Sequence, residues 1–193
     1  MKKFELTNEF ITNMFGTKLF RIRALVEFGD VEAGELGGYV EKESNLGHDD
    51  NAWVYDNAWV YDNAWVYGDA QVSGDARVYG NARVYGNAWV YGNAWVYGNA
   101  WVYGNALVCS DEDYAYAHGF GSVNRTTTFF RLKDGGVGVR CGCFYGTLAQ
   151  FRDKIRETHG ETKKAQEYLM LADLMELRFE EDENEVGNRK YVE

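Results

Sequence analysis

Asn51-Ala52-Trp53-Val54-Tyr55-Asp56 is followed directly by Asn57-Ala58-Trp59-Val60-Tyr61-Asp62 and Asn63-Ala64-Trp65-Val66-Tyr67-Gly68, and the same six-residue phrase runs on to Ser110. In all ten hexads the first position is Asn or Asp, the second alanine and the fourth valine. The sixth is glycine in seven, aspartate at Asp56 and Asp62, and serine at Ser110. Alanine and valine two apart point to one side of an extended segment, while positions three and five point to the other. Each hexad therefore reads as a short Ala-x-Val strand and a corner of Gly or Asp with Asn or Asp. Those residue types tolerate positive φ or bond their own backbone at a sharp bend. An α-helix is excluded, because a period of six does not track 3.6 and glycine at every sixth place would cost ~1 kcal/mol each time.

Ala and Val are small, so the interior they share is narrow. Three short sides per turn close a triangular prism whose coils stack at about the 4.8 Å interstrand spacing. At 18 residues per coil, 51–68, 69–86 and 87–104 are three full coils and 105–110 begins a fourth. The pattern resembles the left-handed parallel β-helix of the hexapeptide-repeat family, best known from bacterial acyltransferases. The resemblance covers about a third of the chain and implies an all-β solenoid core. It speaks to fold much more than to function.

The same period arranges the outside. All six tryptophans stand at position three: Trp53, Trp59, Trp65, Trp89, Trp95 and Trp101, with Gln71, Arg77 and Arg83 between them. One coil apart, these form the columns Trp53–Gln71–Trp89, Trp59–Arg77–Trp95 and Trp65–Arg83–Trp101, one to each face. Two arginines thus stand between indoles, where a cation–π contact contributes ~0.5–1 kcal/mol at an exposed site. Position five adds Tyr61–Tyr79–Tyr97, Tyr67–Tyr85–Tyr103 and the interrupted Tyr55–Ser73–Tyr91. Such ladders admit three readings: lateral support that screens strand hydrogen bonds, a surface covered by a terminal segment or another subunit, or a stacking platform for nucleobases or sugars. The eight residues Trp53, Trp59, Trp65, Arg77, Arg83, Trp89, Trp95 and Trp101 are the candidate ligand- or partner-binding set.

Upstream, Asn45 and Leu46 keep the Asn/inward register, and Leu36–Asp50 is expected to form an irregular first coil. Lys18–Val26 reads as a strand with Phe20, Ile22, Ala24 and Val26 on one side. A solenoid needs its ends covered, and residues 1–44 are assigned to that task, with the β-helix spanning 45–110. Downstream, 111–193 is expected to be an α+β module. Cys109–Val123 reads as a polar loop. Thr126–Leu132 and Val137–Phe144 flank Lys133-Asp134-Gly135-Gly136 as a hairpin. Thr147 with Gln150 makes a capping box for a helix bearing Leu148, Phe151 and Ile155 and ending at Gly160. A second helix over 162–179 carries Ala165, Tyr168, Leu169, Ala172 and Met175 on one face, with Leu171, Leu174 and Leu177 on another. Glu180–Glu185 reads as a solvated acidic tail.

Composition narrows the chemistry. Hydrophobic residues make up 46% of the chain, there is no proline, and glycine numbers 22, a balance suited to a repeat that turns on Gly and Asn. The net charge of −10 argues against binding a nucleic-acid backbone, which needs clustered Lys and Arg. No signal-like or membrane-spanning apolar stretch is seen. Three cysteines, two of them separated by one glycine, fit a reducing cytoplasm. Cys141-Gly142-Cys143 on one strand face would offer two soft ligands, but two more are missing, so no metal and no cofactor are expected. Gly119-Phe120-Gly121-Ser122 lacks a following Lys and a strand-to-helix setting, and reads as a plain loop.

The layout as a whole, a capped hexapeptide helix followed by a Cys-Gly-Cys-Phe hairpin and two helices, resembles uncharacterised hexapeptide-repeat proteins of bacterial genomes, including prophage regions. An acyltransferase of this fold would need a histidine base. The repeat contains none, and His118 in Ala117-His118-Gly119 is the best candidate. His48 and His159 lie elsewhere, and the three histidines are too scattered for the zinc site of carbonic-anhydrase relatives. The leading expectation is therefore a non-catalytic binding protein, possessing a homo-oligomeric state and binding a host protein or a small nucleotide-like ligand, as a prophage-encoded counter-defence factor would. Two alternatives stand beside it: an acyl-CoA-dependent acyltransferase and a self-assembling structural element.

Overall fold

The computed structural model describes residues 1–121 and 123–180; beyond Glu180 the expected acidic tail lies outside them. The repeat forms a parallel β-solenoid of three sheets, with the Ala-x-Val segments as its strands: β4 Trp53–Val54, β5 Trp59–Val60, β6 Trp65–Val66, β7 Gln71–Val72, β8 Arg77–Val78, β9 Arg83–Tyr85, β10 Trp89–Val90, β11 Trp95–Val96, β12 Trp101–Tyr103 and β13 Leu107–Val108. Upstream lie β1 (Phe4–Thr12), β2 (Lys18–Ala24) and β3 (Leu36–Val40). The strand orders are β4-β7-β10-β13, β6-β9-β12 and β1-β2-β3-β5-β8-β11. Trp53 pairs with Gln71, Gln71 with Trp89 and Trp89 with Leu107, so a coil is 18 residues long. Every alanine and valine of the ten hexads is buried in one continuous core.

The corners explain the Gly/Asp preference. Gly80 has φ +70, and a Cβ on it would stand 3.0 Å from the amide nitrogen of Gly98 in the next coil. Asp56 and Asp62 occupy the same backbone state, φ 51 and 58. Their Oδ2 atoms accept from the Gly74 and Gly80 amides at 3.0 and 3.2 Å, which offsets the cost of a side chain in left-handed conformation. Beside the corners Asn63, Asn81 and Asn99 join in an amide ladder, Nδ2 to Oδ1 at 3.3 and 3.2 Å.

The first coil is longer than the rest. Val40 aligns with Val60 and Leu46 with Val66, twenty residues on rather than eighteen, so Leu46 points inward but is not in the hexad register expected of it. The two extra residues fall between Leu46 and Val54, eight apart where the repeat sets its inward valines six apart, while a 3₁₀ turn at Glu43–Asn45 lies within the regular side from Val40 to Leu46. Asn45 is buried there and donates through Nδ2 to the carbonyls of Ala64 (2.8 Å) and Asp62 (3.2 Å). β1 and β2 form an antiparallel hairpin hydrogen-bonded onto β3. β1 was not foreseen. The pairing of β2 with β3 shifts between Arg21 and Arg23, which breaks the expected alternation. Ile22 and Ala24 join the main core, whereas Leu19 is buried with Tyr39 and Tyr61.

The hairpin and its return loop correct one expected surface residue. Trp53 is fully buried, with its indole edge-on to Phe4 (6.2 Å) and Phe28 (5.3 Å). It points out of the prism, as position three requires, but into the cap, because apolar surface at a solenoid end is better covered than left wet.

After the repeat, residues read as a polar loop instead contain β14 (Tyr114–Phe120), which pairs antiparallel with β15 (Arg125–Arg131). The expected hairpin is present, β15 with β16 (Val137–Cys141). The single strand expected over 137–144 is broken by a tight turn at Gly142, φ +58, and resumes as β17 (Phe144–Thr147). Phe144 thus folds back onto Cys141, and the sheet has four strands. Helix α1 (Leu148–His159) has the Thr147–Gln150 capping box and buries Leu148, Phe151 and Ile155. Helix α2 (Lys163–Phe179), capped by Thr162, buries Ala165, Tyr168, Ala172, Met175 and Phe179. Its second apolar side is exposed at Met170, Leu174 and Leu177, while Leu171 packs on the core. Among the described residues no helix is long and apolar enough to cross a membrane.

Candidate functional site

The three outer columns form in the register read from the repeat, and their surroundings differ. On the β5-β8-β11 face the Arg77 guanidinium lies between two indoles, 4.3 Å from Trp59 and 4.9 Å from Trp95. Tyr79 stacks on Tyr61 (5.0 Å) and Tyr97 (5.4 Å). Burial against the cap pushes the Tyr61 phenol up to about 12, helped by neighbouring Tyr79 and Asp62. On the β6-β9-β12 face Arg83 covers Trp101 at 5.0 Å, while Trp65 stacks on Tyr67 at 4.0 Å. Tyr85 lies between Tyr67 (4.7 Å) and Tyr103 (4.3 Å). Arg140 of β16 covers Trp101 and Tyr103. On these two faces the middle rung is a long cation beside a stacked phenol, and the ladders support themselves.

The β4-β7-β10-β13 face lacks that middle rung. Gln71 and Ser73 stand where Arg77 with Tyr79, and Arg83 with Tyr85, stand elsewhere. An amide and a hydroxymethyl leave a groove of about 660 Å³, with Gln71, Ser73 and Gly74 along its middle coil, Trp89, Tyr91 and Lys133 to one side and Asp56 to the other. Lys133 comes from the β15–β16 turn. Its backbone N donates to Asn105 O at 3.0 Å, which anchors the turn, and Nζ lies 4.0 Å from the centre of the Trp89 ring. Burial pushes its amine down from the ordinary lysine value. A groove of this size, with an aromatic wall, a cation and a few hydrogen-bonding groups, has the make-up of a small-molecule site.

Of the eight residues taken from the sequence, Trp89 alone lines this groove. Trp59, Arg77 and Trp95 form one cation–π stack, and Trp65, Arg83 and Trp101 belong to the third face. Trp53 is lost to the cap. His118 lies on β14, exposed, with Nδ1 3.0 Å from Thr126 Oγ1, and it does not line the groove. Lys133 stands in a hairpin turn, and nothing local to it signals a site. Ser73 had a signal, since within the three full coils it is the one position five without tyrosine, and Gln71 in the same hexad stands where Trp or Arg stands elsewhere.

Comparison with known proteins touches the repeat. No curated protein matches the chain. A family model described as YdcK beta solenoid repeat matches residues 70–84, 76–92, 82–98 and 88–104, with starts on Ala70, Ala76, Ala82 and Ala88, one hexad apart. Those matches and the observed coils make the chain a protein of the repeat β-solenoid kind.

Proposed function

We propose that this is a non-catalytic binding protein whose groove at Gln71 and Ser73 takes a planar small ligand bearing an anionic group, of the nucleotide class. The missing rung carries the reading. Two coil spacings of ~4.8 Å separate the rungs on either side of Ser73, the gap that one phenol fills on each neighbouring face. A flat ring inserted there would take the place of Tyr79 or Tyr85. Lys133 would meet the anionic substituent, and Gln71, Ser73 and Asp56 supply the donors and acceptors that orient a base edge. An anion beside Lys133 would also favour its charged form, which burial alone opposes. Sequestering a nucleotide signal, as a prophage-encoded counter-defence factor in a host cytoplasm would, is the biological role we attach to such a binder.

The test is titration with AMP, read by quenching of tryptophan fluorescence, with adenosine as the uncharged control. AMP should bind more tightly than adenosine, and Lys133→Ala should remove that preference. Ser73→Tyr should complete the ladder, keep or raise thermal stability, and abolish binding. Unaltered AMP recovered after incubation supports binding without turnover. No quenching by AMP or GMP, or undiminished binding by the Ser73→Tyr variant, overturns the reading.

Self-association is a second reading, supported by the exposure of Trp65, Trp95 and Tyr97 and of the Met170/Leu174/Leu177 stripe. Sedimentation should give a multimer that dissociates in a Trp95→Ser/Trp101→Ser chain. A wild-type monomer at high concentration would rule it out.

A further inference from the structure

The α+β module holds a second cleft, of about 250 Å³, lined by both cysteines of the Cys-Gly-Cys turn together with Arg125, Lys154, His159 and Tyr168. Cys141 ends β16 half-buried; its sulfur receives the Thr127 hydroxyl at 3.1 Å and lies 3.9 Å from the Tyr168 hydroxyl. Cys143 is exposed in the turn itself. The Arg125 guanidinium packs against Gly142 so closely that a Cβ there would have no room. A cation therefore sits against the turn that carries both thiols. Lys154 borders the same cleft, paired with Glu157 at 2.7 Å. That pair is exposed and weak, so a ligand carboxylate can compete for the ammonium. In a chain of net charge −10, three basic side chains around two thiols favour an anionic reactant over a neutral one.

We propose that this cleft is a thiol–disulfide exchange site for anionic low-molecular-weight disulfides such as glutathione disulfide, with Cys143 attacking and Cys141 resolving. The Cys143 thiolate attacks one sulfur of the small disulfide; that S–S bond breaks and one small thiolate leaves. The Cys141 thiolate then attacks Cys143 Sγ, the mixed disulfide breaks, and the second small thiolate leaves. Two cysteine thiols are oxidised to one Cys141–Cys143 disulfide, the small disulfide is reduced to two thiols, and the two protons end on them. One intervening residue in a tight turn keeps the two Cα atoms within the ~4.4–6.8 Å that disulfides span. Gly142 supplies the backbone freedom that closing so small a ring requires.

The test follows the full-length chain by intact mass with glutathione disulfide and with neutral hydroxyethyl disulfide, each rate normalised to that of a free cysteine peptide. The expected result is about a tenfold preference for the anionic disulfide, as one or two charge-assisted contacts would give. Arg125→Ala and Lys154→Ala should each lower that preference several-fold while leaving the circular dichroism unchanged. Cys143→Ser should abolish the cleft reaction, and Cys141→Ser should stop it at a stable glutathionyl adduct. Equal normalised rates for the two disulfides, or a Cys143→Ser chain as reactive as wild type, would overturn the site. A mixed disulfide that persists in the wild-type chain would overturn the resolving role of Cys141.

Discussion

Arg131 Nε donates to Asp113 Oδ1 at 3.2 Å, and both side chains are almost wholly buried. The pair ties three parts of the molecule together. Asp113 also accepts from the backbone amides of Cys109 and Ser110 at the end of the solenoid, both at 3.0 Å. Arg131 belongs to β15 and donates through Nη2 to Phe179 O at the end of α2 (3.2 Å). Removing the carboxylate breaks a buried ion pair and takes the acceptor from two backbone amides at the solenoid end. Asp113→Ala should therefore lower stability by ~3–5 kcal/mol, and Asp113→Asn by less because it keeps acceptors for the amides. Urea unfolding measures both; a loss under ~1 kcal/mol for the alanine variant would mean the pair behaves as a surface one.

Corner chemistry gives a paired prediction at Gly80. Alanine there must adopt positive φ beneath the Gly98 amide, and Gly80→Ala should lose ~1–2 kcal/mol. Aspartate accepts the same backbone, as Asp62 does, and its carboxylate can accept from the Gly98 amide. Gly80→Asp should recover about half the loss, a hydrogen bond being worth ~1 kcal/mol. Equal losses would show that a corner carboxylate gains nothing from the amide of the next coil.

Trp53 Nε1 is buried without an acceptor among the described residues. Trp53→Phe deletes that unsatisfied donor along with some packed area and should cost ~1–2 kcal/mol, against ~3–5 for Trp53→Ala. Thermal unfolding separates the two. A phenylalanine variant as unstable as the alanine one would mean that the indole's full size, not its apolar contact with Phe4 and Phe28, is required.

Alkaline behaviour sets one buried lysine at the cap against a group of tyrosines, Tyr61 and Tyr114 foremost, that burial holds above their ordinary value. Burial lowers the Lys3 amine from 10.5 to about 8, although Asp50, Asp49 and Asp69 oppose it. Between those values the unfolded chain holds the proton and the folded chain does not, so this term makes stability rise with pH from about 8 to 10.5. Tyr61 acts the other way: its phenol is raised from 10.0 to about 12, and its contribution, complete below 10, is lost as pH climbs to 12. Urea midpoints should rise from pH 8 to a maximum near 10 and fall by 11.5. Lys3→Met should flatten the rising limb, and an unchanged limb in that variant would assign the rise to another group.

Much of this architecture can be read from residue types at fixed spacing. Ala and Val two apart, with Gly, Asp or Asn at each corner, dictate a narrow prism with an 18-residue turn, and the structure has it. The cap on α1 was equally plain, since a Thr147–Gln150 box is local chemistry. Strands β1 and β14 were not legible: Phe4–Thr12 alternates poorly, and Tyr114–Phe120 shows no polar–apolar alternation, its burial fading along its length rather than dividing between two faces. The Gly142 turn was hidden for a similar reason, as β-rich residues stand on both sides of it. The candidate groove was half legible, through Ser73 and Gln71, while Lys133 enters it only because a distant turn is bonded to Asn105.

What the sequence determined by itself was therefore everything with a period: strand, corner, coil length and the vertical order of Trp, Arg and Tyr on each face. Tertiary structure decided which members of those columns remain exposed, since a residue's burial depends on what chain folds back over it. Trp53 and Trp89 occupy identical places in the hexad, yet Phe4 and Phe28 bury one while the other faces a groove. Repetition encodes local geometry many times over, whereas the contact of a loop with a distant face is encoded once and has no spacing from which it can be read.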